Sequence, residues 1–182
     1  MRAGKFSAVV LIVSLMGSGE ALHAAPSVQL FGEDGAPRFN AYLACTSRTV
    51  NCSIIEHMFD RWADSRDVSL HEVGPDDAAF SNGTPSQAPE QKLPYRVSVR
   101  YAPEMASLSN SLQGGATGLP VVSYVANVRV FDASSGKLLK SMSMHDEKMV
   151  DQAQGAANPY LEAHVRAFLK RLDPAYTPAP AP

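Results

Sequence analysis

Two runs of strict alternation decide most of what this chain can fold into. Tyr95, Val97, Val99 and Tyr101 alternate with Arg96, Ser98 and Arg100. Val122, Tyr124, Ala126, Val128 and Val130 alternate in the same way with Ser123, Val125, Asn127, Arg129 and Phe131. Successive side chains of an extended chain point to opposite faces, so each run predicts a strand with one face buried. Residues 132–136 supply turn chemistry, Asp-led with Gly136 near its end, and 138–145 then return as an antiparallel partner. A sheet of this kind must cover one apolar face with other elements.

Two helices answer that need. Ser53 and Glu56 stand at capping-box spacing, and Ile55, Met58, Phe59 and Trp62 follow at i, i+3, i+4 and i+7, which predicts a helix over 53–65 with a buried stripe. Asn158 and Pro159 open a second helix as N-cap and first-turn proline; its stripe is Leu161, Val165, Phe168, Leu169 and Leu172. Glu162 is placed to pair with Arg166, Lys170 and Arg171 suit the negative end of the helix dipole, and Pro174 stops the helix. Earlier in the chain, 28–31 and 39–44 read as short strands joined by a Gly- and Pro-rich hairpin connection at 32–37, and 68–73 as another short strand. Residues 74–92 and 103–120 read as long exposed loops, the second carrying Gly114, Gly115 and Gly118 without the strand, helix and lysine that a phosphate-cradling loop requires. The expected fold class is α+β: an antiparallel sheet with two amphipathic helices packed on one face.

Arg2 and Lys5, the apolar run 8–16 and the small residues up to Ala24 have the pattern of a cleavable export signal over 1–24. A single α+β domain over 26–173 and a solvated Ala/Pro tail over 174–182 complete the expected organisation. Loss of the leader takes Lys plus Arg from 16 to 14 and Asp plus Glu from 18 to 17, so net charge moves from −2 to −3. Weak acidity argues against nucleic acid or an anionic membrane surface as the main partner. The first cysteine is Cys45, far from the leader's end, so an acyl anchor there has no attachment point and no stable membrane anchoring is expected. Cys45 and Cys52, the only cysteines, predict a structural disulfide in an oxidising compartment, periplasmic or extracellular.

No catalytic constellation stands out, and neither a metal site nor a cofactor is expected. His57, Asp60, Arg61 and Asp64 share the polar side of the first helix and read as a solvated charged face. His145, Asp146 and Glu147 are consecutive in a strand, so their side chains alternate and cannot converge on one ion. Ser134 and Lys137 have the Ser-x-x-Lys spacing of penicillin-recognising enzymes but fall in a hairpin turn, not at the start of a helix. Arg96, Arg100 and Arg129 belong to the polar positions of the two alternating strands and make a possible binding face for an anionic or peptide ligand.

The stretch Val128-Arg129-Val130-Phe131-Asp132-Ala133-Ser134-Ser135-Gly136-Lys137-Leu138, followed by a closing helix, resembles the late hairpin and helix of small exported bacterial envelope domains. The similarity covers 121–172 and is to the type found in the curli-secretion lipoprotein and in lipoproteins that activate cell-wall synthases. It implies an envelope accessory protein; this chain departs from that group in lacking the acylated cysteine, and no functional residue carries over. The expected function is that of an exported, non-catalytic protein that binds a ligand, or an envelope protein or peptide partner, through a sheet face or strand edge. The competing expectation is a secreted hydrolase with His57 or His145 as base under a loop lid.

Overall fold

The computed structural model describes residues 28–81, 93–107, 120–150 and 158–178. The expected leader over 1–24, the Gly114–Gly118 loop and residues 179–182 of the expected tail lie outside them. Five strands and two helices run in the order β1 (Phe39–Cys45), α1 (Ser53–Arg66), β2 (Leu70–Glu72), β3 (Tyr95–Ser107), β4 (Pro120–Asp132), β5 (Leu138–Met149) and α2 (Asn158–Leu172), with one 3-10 turn at Ala78–Phe80 between β2 and β3.

The strands form one sheet in the order β2-β1-β3-β4-β5. It is mixed, which corrects the expectation of a purely antiparallel sheet. β3, β4 and β5 are antiparallel neighbours, but β1 runs parallel to both β2 and β3. The cause is the connection: α1 carries the chain from one end of β1 back to the start of β2, as a parallel pair requires. The expected hairpin of 28–31 with 39–44 shrinks to a single bridge, Phe31 to Pro37, because β1 has both of its edges taken by β2 and β3.

Alternation then sets the core. Phe39, Ala41 and Leu43 of β1, Val97, Val99 and Tyr101 of β3 and the even positions 122–130 of β4 all point to one face and are buried. Register keeps them in rows: Val97 opposite Val130, Val99 opposite Val128, Tyr101 opposite Ala126. Both helices cover this face with the stripes read from the sequence, Ile55, Met58, Phe59 and Trp62 from α1 and Leu161, Val165, Phe168, Leu169 and Leu172 from α2. Rings of Phe59, Tyr101, Tyr124 and Phe168 meet at the centre, with Tyr101 and Tyr124 stacked at 5.0 Å and Phe168 edge-on to Tyr101 at 5.4 Å. His164 joins the buried side of α2, a position outside its purely apolar stripe.

Several local details differ from the sequence reading. Ser53 does not cap α1; Asn51, two residues earlier, takes that part, its Oδ1 accepting from the Ser53 N–H at 3.0 Å. At the other end Asp67 takes the left-handed conformation (φ 55°), so that its own N–H and that of Val68 both return to carbonyls of the last turn. β3 continues to Ser107, through part of the expected 103–120 loop. Pro103 is tolerated there because β1 ends opposite Tyr101, leaving that side of β3 with no ladder to which a proline would fail to donate. Past that point Thr49 Oγ1 accepts from the Met105 N–H at 2.9 Å. Tyr176 turns back on Asp173 and lies partly buried against the core, within the stretch from Pro174 that reads as solvated tail.

Candidate functional site

The face of the sheet away from the helices carries the polar half of each alternating strand. Across it run three rows: Asn40, Arg96 and Phe131; Tyr42, Ser98, Arg129 and Ser141; Ala44, Arg100, Asn127 and Ser143. Arg96, Arg100 and Arg129 are therefore brought onto one surface, Arg100 and Arg129 exposed and Arg96 half-buried.

Part of this surface is covered by the chain itself. Residues 74–81, the first half of the expected exposed loop, fold onto it, and the turn at Ala78–Phe80 buries Ala79 and Phe80. Asp77 caps that turn, its Oδ1 accepting from the Ala79 N–H at 2.8 Å. Three side chains of the sheet then hold the segment by its carbonyls. Ser98 Oγ donates to Ala79 O at 2.5 Å, Arg100 Nη2 donates to Pro75 O at 2.6 Å, and Arg129 Nη1 donates to Phe80 O. The Arg100 guanidinium also lies over the Phe80 ring, 4.8 Å from its centre. Phe80 has no period-two partner, so its burial is invisible to a periodicity argument.

Beside the segment a cleft of about 170 Å³ remains, lined by Phe80, Ser98, Arg100, Asn127 and Arg129. Each guanidinium spends one of its five N–H donors on a backbone carbonyl, and neither is in an ion pair with a carboxylate among the described residues. Two fixed forks with an amide between them form a concentration of positive, planar donors suited to a carboxylate or another oxyanion.

The same face holds a buried polar pair nearer β2. Asn40 Oδ1 and the Tyr42 hydroxyl are buried and accept or donate no hydrogen bond among the described residues. Burial pushes the Tyr42 phenol up, with Arg96 opposing and Asp77 adding to the shift. Tyr42 stacks on His71 at 5.2 Å, and His71 Nε2 meets Ser69 Oγ at 3.1 Å.

A hydrolytic centre needs a histidine in reach of both a hydroxyl and a carboxylate inside a pocket. His57 is exposed on α1; His145 is exposed on β5, on the same sheet face as Asn127 but not among the residues that line the cleft. His71 has the hydroxyl, Ser69, but no carboxylate hydrogen-bonded to its ring among the described residues. Asp60 and Asp64 share the exposed side of α1 with His57, as the helical spacing predicts. Asp146 faces the helices while His145 and Glu147 face the other way, and among the described residues no three potential ligands gather as a metal would need.

Cys45 and Cys52 are joined, Cα to Cα 5.8 Å, tying the end of β1 to the residue before α1. Among the described residues no helix is long and apolar enough to cross a membrane.

No family model matches the chain. No curated protein matches it either. Among solved structures the chain is similar to a neuraminyllactose-binding hemagglutinin homolog from Helicobacter pylori, at 9% identity over 85% of this chain and 90% of that one, with a TM-score of 0.48. It is also similar to a minor lipoprotein from Acinetobacter baumannii, at 11% identity over 73% and 91% with a TM-score of 0.40. A lipoprotein from Neisseria meningitidis matches at 12% identity over 76% and 100%, with a TM-score of 0.39.

Proposed function

We propose that this is an exported, non-catalytic binding protein of the cell envelope whose ligand is an acidic peptide segment of another envelope protein, taken at the arginine face. The observation that carries the reading is the cleft between Arg100 and Arg129, with Asn127 and Ser98 in its wall. Guanidinium forks recognise carboxylates through paired N–H donors, and here the backbone carbonyls of Pro75 and Phe80 hold both forks in place before any ligand arrives. Export is supported by the leader pattern and by the Cys45–Cys52 disulfide, a bond that persists outside the reducing cytosol.

The test is a calorimetric titration with short peptides that differ only in carboxylate side chains against their amides. Acidic peptides are expected to bind, and Arg129→Lys, which keeps the charge but loses the fork, is expected to weaken them about tenfold. Equal binding of acidic and amide peptides, or none of either, would overturn the reading.

A further inference from the structure

Beyond the arginine face, and independently of it, we propose that the free edge of β5 pairs with the β5 edge of a second copy of this chain, antiparallel and centred on Ser143. Among the described residues β5, twelve residues long, is outermost in the sheet and pairs with β4 alone. Glu147 N–H donates to Asp146 Oδ1 at 3.0 Å, and among the described residues no strand pairs with the rest of its outer side, the condition that makes an edge a template for another strand. No proline interrupts it, and the one irregularity is the bulge opposite Val130 and Phe131, at its first residues.

Apolar exposure concentrates along this edge. Of the five large hydrophobic residues most exposed among those described, Leu138, Leu139 and Met149 belong to β5, and Val125 is the neighbour of His145 across the β4 ladder. Met142 and Met144 point toward the helices and are half-buried against the core, their outer sides at the sheet's rim.

The charge pattern selects the occupant and the register. In an antiparallel two-fold pair, opposed residues must face the same side, so only registers that pair even with even positions are allowed. Centring on Ser143 sets Lys140 opposite Asp146 twice, once on each side of the axis, with Met142 opposite Met144 and Ser141 opposite His145. Sliding by two residues one way sets Lys140 opposite Lys148; sliding the other way sets Lys140 opposite Met144 and leaves it no acidic partner. Opposite charges directly across a ladder stabilise it and like charges oppose it, so of these three registers, which overlap most of the strand, only the one centred on Ser143 is self-complementary. A two-fold pair closes after two copies, leaving β2, three residues long, as the exposed edge at either end.

The chain, exported under its own leader and purified, is tested by sedimentation velocity over a dilution series. A monomer–dimer equilibrium is expected, and β5 amides are expected to gain hydrogen-exchange protection as concentration rises. Lys140→Asp alone and Asp146→Lys alone each create two like-charge contacts and are expected to weaken association about tenfold. Mixing the two variants restores both opposite-charge contacts, so the mixture is expected to associate as the parent does, a result that a folding defect in either variant cannot produce. A chain that stays monomeric at about 100 μM, or a dimer indifferent to both substitutions, or a mixture no tighter than its parts, would overturn the proposal. None of these outcomes bears on peptide capture at the arginine face.

Discussion

Asp173 follows the last residue of α2 and is 1% exposed, a buried carboxylate with donors from three residues. It accepts from Trp62 Nε1 at 3.2 Å, from Arg66 Nε at 2.6 Å and from the Ala175 N–H at 3.2 Å. The group therefore fastens the end of α2 to the last turn of α1, and its loss strands Arg66 and the indole N–H together. Asp173→Ala is expected to cost about 3 kcal/mol, read as a lowered urea midpoint with an unchanged slope. His164 presents the opposite case. Its Nδ1 is buried with no partner among the described residues, and burial pushes its pKa down, with Asp146 opposing and Lys148 adding to the shift. A histidine held neutral in the fold binds its proton more readily when unfolded. Its contribution to stability is thus full above the ordinary histidine range and declines as pH falls through that range toward the depressed folded value. His164→Gln is expected to flatten the stability profile between about pH 7 and about pH 5 relative to the parent chain; an unchanged slope would remove His164 as the sensor.

At the scale of elements, the β4–β5 hairpin owes its turn to one carboxylate. Asp132 Oδ1 accepts from the backbone and hydroxyl groups of both Ser134 and Ser135, and these bonds hold its pKa well below the usual carboxylate range. Gly136 follows with φ 69°, a conformation that a side chain would strain. The β1–α1 connection is closed by Cys45–Cys52, a loop of about eight residues, so replacing both cysteines by serine is expected to cost about 2.5 kcal/mol by the chain-entropy relation. A thermal melt of the double variant beside the reduced parent checks this, since both should fall equally. In α2, Phe168 is fully buried between three aromatic rings, and Phe168→Ala is expected to cost about 4 kcal/mol through the cavity it leaves.

Across the whole molecule, stability should be graded from the sheet's centre outward. β1, β3 and β4 are paired on both sides and contribute to the core beneath the helices, whereas β2 and β5 are edges among the described residues. Native-state hydrogen exchange in dilute solution is expected to protect amides of β1, β3 and β4 to near the global unfolding free energy, and those of β2 and the outer side of β5 far less. Uniform protection would mean that the edges unfold only with the core.

The strands β3, β4 and β5, both helices and the disulfide are legible in the sequence, because each rests on neighbours a few residues apart: period two, period 3.6, or two cysteines within reach of one another. The arginine face was legible to the same extent, since alternation alone puts Arg96, Arg100 and Arg129 on the polar side. What the sequence could not determine depends on contacts between residues far apart in the chain. The parallel pairing of β1 follows from where α1 packs, and the seating of Phe80 follows from carbonyl-to-side-chain bonds to Ser98, Arg100 and Arg129. The anchoring of Trp62 and Arg66 by Asp173 spans more than a hundred residues. Local patterning fixes which face of an element is apolar; only the closed tertiary structure decides which polar groups that closure buries, and those groups must find partners wherever the chain brings them.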